Sequence, residues 1–236
     1  MNGTIARLAL QALVGQRRVW VLLALPLLLV VLAGVLRAMT GEPVSANMVV
    51  VEVGLALVVP LVALLAANGV LGPEIDDGSV VYLLSTPVSR YVVAGSKFAV
   101  AAAASVALCV AGLAGAALAG GLSQRWLVVA AVTGGIGALL YAALFTALAA
   151  ATRHGMIAGL VYALVVEGLL ARFLSGMRYV SVNAIAQRLG EAAADVDLPV
   201  ADMSLTYAVV ASVVLLVLAA LAAGWRLQRF QLRGDE

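Results

Sequence analysis

Apolar residues fill long, nearly uninterrupted runs of this 236-residue chain, and polar residues gather in short breaks between them. A helix needs roughly 20 residues to cross about 30 Å of hydrocarbon. Six runs reach or approach that length: 19–36, 48–71, 92–119, 127–151, 155–174 and 205–225. Helices rather than strands follow from the run lengths, because barrel strands are about ten residues long and alternate in polarity. The pattern therefore predicts an all-α, polytopic membrane protein with six transmembrane helices, a spanning domain over 19–236. The first run starts too far in for a cleavable signal peptide, and no small-x-small cleavage site follows it before Arg37.

Three segments outside the runs have their own character. Residues 4–18 place Ile5, Leu8, Ala9, Ala12 and Leu13 at helical spacing, with Arg7, Gln11 and Arg18 elsewhere. That predicts a short amphipathic helix over 1–18 lying in the cytoplasmic interface, or else simply the polar start of the first span. Between the fifth and sixth runs, residues 175–204 hold a helical stretch, NAIAQRLGEAAADV, closed by DLPVADMS. It reads as short helices capping the outer end of a pathway, or as a plain connector.

The third segment, GPEIDDGSVVYLLSTPVSRYVVAGSK, lies between the second and third runs. Gly72-Pro73 is expected to end the second span, since proline disfavours helix in the residue before it. Glu74, Asp76 and Asp77 then fall early in a new short helix, where the N-terminal dipole favours negative charge. Val80, Val81, Leu83 and Leu84 give that helix an apolar face, and Thr86-Pro87 ends it. The product is a short cytoplasmic helix between spans two and three, suited to docking in a groove on a soluble partner.

Composition agrees with the membrane assignment. Hydrophobic residues make up 64% of the chain and charged residues 11%, and mean hydropathy is +1.13. A net charge of +2 with no basic, aromatic-interleaved stretch argues against nucleic acid. The single cysteine, Cys109, excludes a disulfide framework and reads as a small packed hydrophobe. The positive-inside rule favours both termini in the cytoplasm. That face then carries Arg7, Arg17, Arg18, Arg90, Lys97, Arg153, Arg226, Arg229 and Arg233, against Arg37, Arg125, Arg172, Arg178 and Arg188 outside. Lys97 reads as an anchor at the membrane surface.

The acidic-x-x-x-Gly-Ser pattern, the following LLSTPVSR and the Gly-x-Lys at the third span resemble the coupling-helix region of type-2 ABC transporter permeases of the export class. The six spans, the N-terminal interfacial helix and the long outer loop are similar to that family too. Here the acidic residue before the glycine is Asp77 and the next residue is Ser79, where the family commonly has Glu-x-x-x-Gly-Thr. The resemblance implies a coupling role for Glu74, Asp77, Gly78, Ser79, Leu83, Leu84, Ser85, Pro87 and Arg90. It also implies a cytoplasmic ABC ATPase partner that holds ATP and Mg, a second permease copy (a homodimer or a heterodimer), and a prokaryotic-type plasma membrane.

The residues agree that this chain is not itself an ATPase. A phosphate-cradling loop needs Gly-x-x-x-x-Gly-Lys-Ser/Thr, and the only lysine, Lys97, is followed by Phe98. No catalytic residue, cofactor or metal site is expected within it. His154 has no second histidine and no cysteine nearby for a metal. A serine–histidine intramembrane protease is disfavoured because His154 lies at the cytoplasmic edge, away from any serine at membrane depth.

Polar groups inside apolar runs are the remaining candidates for a pathway or interface, because charge in lipid is expensive. Glu52 falls near the outer interface, where solvation accounts for it. Asn68 near the inner end of span two suits packing or helix–helix hydrogen bonding. Glu167 is near the middle of the fifth run, with Arg172 five residues on and out of register for a helical pair. It faces a polar path or a subunit interface, or it is protonated and hydrogen-bonded. Small residues such as Gly112, Ala116, Gly120, Gly134 and Gly137 predict close helix packing, within the subunit or across a dimer. Few polar residues point inward, which favours an apolar pathway and a hydrophobic or amphipathic cargo such as a drug, antibiotic, lipid or peptide, carried by alternating access. The competing class is a non-transporting anchor or regulator that recruits a soluble partner through the 74–90 loop.

Overall fold

The computed structural model describes residues 18–76, 90–152, 154–196, 198 and 203–229. The amphipathic segment expected over 4–18, apart from Arg18, and the heart of the expected coupling segment, 77–89, lie outside the described residues.

Every regular element among the described residues is helical. Helix α1 is Arg18–Thr40. A π-helical segment, Asn47–Val58, runs without a break into α2, Val59–Asp76. Helices α3 (Arg90–Ala119) and α4 (Gln124–Ala151) follow. Helix α5 starts at Gly155–Val161, passes through a second π-helical segment, Tyr162–Leu170, and ends at Ala171–Phe173. A 3₁₀ turn, Ser175–Tyr179, leads to α6, Val182–Ala194, and α7 is Leu205–Arg229.

Five of these helices are long and apolar enough to cross a membrane: Val19–Thr40, Asn47–Val70, Gly95–Ala119, Gln124–Ala151 and Leu205–Trp225. The fifth run of the sequence, expected to make a sixth, contributes a shorter apolar helix, Gly155–Leu170. More than half of that stretch is π-wound, which places more residues in each turn and so covers less length.

The second span does not end at Gly72-Pro73. Helix α2 continues through both to Asp76, so Glu74 and Asp76 stand in its last turn rather than opening a new helix. Proline withdraws one backbone donor, and in a membrane helix neighbouring groups tolerate such a break. Close by, the Lys97 ammonium of α3 donates to the Val70 carbonyl at 3.2 Å, next to the Gly69 carbonyl from which Pro73 withholds its helical donor. Lys97 is therefore no surface anchor; it is 2% exposed.

Helix α4 is the hub, and glycines set its neighbours' distances. A Cβ on Gly134 would lie 3.2 Å from the Cys109 carbonyl of α3, and one on Gly137 would lie 3.0 Å from Leu55 and 3.6 Å from Ala186 of α6. Helix α1 docks on α3 by the same means, its Pro26 filling the notch at Gly112. The small-residue stripes of the sequence are thus used for packing inside the subunit. Cys109 is fully buried in this core. Helices α1 and α7 are peripheral, with Trp20, Leu27 and Leu28 on one and Val213, Leu218 and Leu221 on the other exposed.

Candidate functional site

Helix α6 is the element on which the site depends. Its sequence is amphipathic, and its buried face, Val182, Ile185, Ala186, Gln187 and Gly190, lies along α4. A Cβ on Gly190 would come within 2.2 Å of the Thr133 methyl, so only glycine permits the approach. The Asn183 backbone meets Tyr141, past the middle of α4, whereas Gly190 meets Thr133 nearer its start. Helix α6 therefore runs antiparallel to α4, with its N-terminus at membrane depth. Within the stretch 175–204, α6 is not a plain connector: it packs back into the bundle.

A helix N-terminus at that depth carries unsatisfied N–H groups that water cannot reach. Glu167 satisfies the first of them. Its Oε1 accepts the Val182 N–H at 2.8 Å and the Tyr162 hydroxyl at 3.2 Å, and its Oε2 accepts the Ser181 hydroxyl. Ser181 is the N-cap of α6, and its Oγ also accepts the Ala184 N–H at 3.1 Å. The carboxylate thus opposes the positive end of the helix dipole through charge-assisted hydrogen bonds. Tyr141, fully buried, brings its hydroxyl beside the same carboxylate without completing a hydrogen bond. Tyr141 stacks on Phe145, with ring centroids 5.6 Å apart, and Phe145 meets Tyr162 edge-on at 6.2 Å. This aromatic shelf holds Tyr162 in place.

The network forms one wall of a groove of about 570 Å³. The two π-helical segments and α6 line it, with Val51, Leu57, Ala163 and Leu164 as apolar wall. Its polar lining is Asn47, Glu52, Glu167, Arg178, Asn183 and Gln187. Glu52 is exposed to this groove, as a solvated position requires, and forms no hydrogen bond or ion pair to the described residues. Gln187 donates to Asn183 at 2.7 Å, and the Arg178 Nε donates to the Ala171 carbonyl at 3.4 Å. The chain brings polar groups from four sequence regions to one face, which spacing along any one run cannot show.

Of the three intramembrane candidates, Glu52 and Glu167 share the groove and Asn68 does not. Asn68 is buried, donates to the Leu64 carbonyl of its own helix at 2.9 Å, and packs at Gly155. It serves helix packing. His154, exposed in the turn before α5, belongs to no cluster that could hold a metal among the described residues. Of the coupling residues, Glu74 lies in α2 and Arg90 opens α3. Asp77, Gly78, Ser79, Leu83, Leu84, Ser85 and Pro87 lie outside the described residues.

Sequence inspection missed Asn47, Tyr141, Tyr162, Ser181, Asn183 and Gln187. Only Ser181 gave a local signal, a serine just before an amphipathic run.

An apolar bundle with a carboxylate-bearing groove suits a membrane protein that moves or recognises a solute, but does not by itself name a class. No curated protein matches the chain. Residues 16–166 match the family described as ABC-2 family transporter protein, a stretch that runs from α1 to one residue short of Glu167 and takes in Glu52, Asn68 and the whole coupling segment. With more than half of its length matched, and with helices that make it an integral membrane protein, the chain belongs to the ABC-2 transporter family as a membrane permease component.

Proposed function

We propose that the chain is one of a pair of six-span permease subunits in an ATP-driven exporter, with the groove turned toward the pair's central pathway. The groove is the observation that supports this most. The outward faces of α1 and α7 are apolar and suit lipid, whereas a face that exposes Glu52 and Arg178 is costly against hydrocarbon. A second copy or a water-filled path relieves that cost. Glu52 and Arg178 line the same groove, so a two-fold pairing can set the acid of one copy toward the base of the other. The sixth span in this reading is α5.

A cytoplasmic ABC ATPase binding ATP and Mg drives the cycle through Glu74, Asp77, Gly78, Ser79, Leu83, Leu84, Ser85, Pro87 and Arg90, with both chain termini on the same side of a prokaryotic-type plasma membrane. Closure of the ATPase pair shifts the bundles and alternates access to the groove. Apolar walls beside a polar lining favour an amphipathic cargo.

The test is reconstitution with the ATPase that co-purifies with the chain, followed by turnover measurements against a panel of lipids, drugs and peptides. We expect a dimeric permease, cargo-stimulated turnover, and loss of stimulation in Asp77→Lys and Gly78→Pro. Association with an ATPase but no dimer and no cargo response would replace this reading with the anchor or regulator. Intact transport in both variants would remove the coupling assignment.

A further inference from the structure

The Tyr162–Glu167 hydrogen bond carries information about the winding of its own helix. The two residues are five apart, and in an α-helix of 3.6 residues per turn such a pair points to well-separated faces. In a π-helix, whose backbone bonds run from residue i to i+5, the same pair shares a face. Tyr162–Leu170 is π-wound, and the Tyr162 hydroxyl reaches the Glu167 carboxylate at 3.2 Å. The bond therefore fits this winding, whereas α winding turns the two side chains about 140° apart. The same carboxylate holds the N-terminus of α6 through Ser181 and Val182, and α6 supplies one wall of the groove.

We propose that Glu167 is a positioning residue that ties the deep end of α6 to the π-wound state of α5. Rewinding of Tyr162–Leu170 to α turns Tyr162 and Glu167 apart, withdraws the carboxylate from Val182 and Ser181, and frees the deep end of α6, so that this groove wall moves with α5. The remaining holds on α6 fit the role of a pivot. Past its first turns the helix is held by Arg188, which donates to the Met203 carbonyl at 2.7 Å. Its middle is seated on α4 at Gly190 and Ala186. Of these holds, only the N-terminal one involves a π-wound segment. In transport the device opens the outer side of the groove, and that purpose rests on the proposed permease function; the tie itself does not.

Hydrogen exchange read by mass spectrometry on the full chain in lipid nanodiscs tests it. Glu167→Gln keeps the side-chain shape and removes the charge, and Tyr162→Phe removes only the hydroxyl. We expect protection of the amides of Val182 and Ala184 to fall about tenfold in Glu167→Gln and several-fold in Tyr162→Phe, with α4 amides unchanged. Unchanged protection at 182–184 in both variants overturns the tie. A loss spread equally over α4 also overturns it, because Glu167 is then a general stabiliser.

In the complex with its ATPase, trapped with vanadate, exchange in 162–170 and in 182–184 must rise together. A rise in one without the other breaks the link between winding and release. Failure to find an ATPase removes the transport purpose, and the nanodisc measurement still decides whether the tie exists.

Discussion

Glu167 and Lys97 are charged side chains hidden in the core, at 6% and 2% exposure, and they are accommodated in opposite ways. The acid is placed at the start of a helix, where backbone N–H groups lack partners, and three donors converge on it. The base is placed against a helix that contains a proline, and its ammonium reaches a carbonyl one turn before that proline, at Val70. Each buried charge thus meets a backbone group of opposite polarity, the acid at a helix start and the base on a carbonyl inside a helix. The difference lies in what depends on the charge. Without Glu167, the deep end of α6 is left with its own Ser181 to accept from its first N–H groups. Lys97, by contrast, touches α2 at a carbonyl within the helix and not at its end.

The sharpest way to break this comparison is to remove the two side chains in turn. Glu167→Ala leaves the Val182 N–H and two hydroxyls without their shared acceptor, each a buried group worth about 1–3 kcal/mol when unsatisfied. Hydroxyls can rotate to other partners, so we expect a loss of about 3 kcal/mol, read as a clear fall in the thermal midpoint in detergent. Gly190→Ala and Gly112→Ala come next. The first forces a methyl to within 2.2 Å of the Thr133 methyl, and the second to within 2.4 Å of the Pro26 ring. Overpacking of this kind costs about 1–3 kcal/mol. The two differ in location: Gly190→Ala should raise exchange in α6, while Gly112→Ala should loosen α1 and leave α6 protected.

Lys97→Met, which keeps the apolar stem and removes the bond to the Val70 carbonyl, should cost less, about 1 kcal/mol. A fall in midpoint as large as that of Glu167→Ala would show that α2 depends on Lys97 as much as α6 depends on Glu167. The contrast between the two charges would then collapse.

How far these features can be read from the chain differs with their physical origin. Run length is a one-dimensional property, so the spans at α1, α3, α4 and α7 are legible to within a few residues. The end of α2 is not, because a proline is judged by its local cost, and the group beside it here is Lys97, whose distance in sequence hides it. The shortness of α5 is not legible either, since nothing in YALVVEGLL distinguishes π from α winding. Glu167 stands out as a candidate from the cost of charge in lipid, but its partners Ser181 and Val182 lie in a stretch that reads equally well as a connector. The groove is assembled from four separate regions and has no linear signature at all. The glycine stripes are visible in the sequence, yet only the packing of Pro26 on Gly112 and of Ala186 on Gly137 decides that they serve contacts within the subunit.

The smallest expected effect on stability belongs to Glu52, and that makes it the most informative substitution for function. It is exposed to the groove, so Glu52→Gln removes no buried partner and should shift stability by no more than about 0.5 kcal/mol. Glu167, by contrast, is consumed by the architecture. If the groove admits cargo, Glu52 is the acid still available to meet it, and Glu52→Gln should change the concentration of cargo that half-stimulates ATP turnover while leaving the basal rate alone. A cationic amphiphile should lose several-fold in apparent affinity and a neutral one little, because the charge–charge attraction acts on the first only. If both lose alike, Glu52 shapes the groove rather than reading charge. If neither changes, the groove is not on the cargo's path.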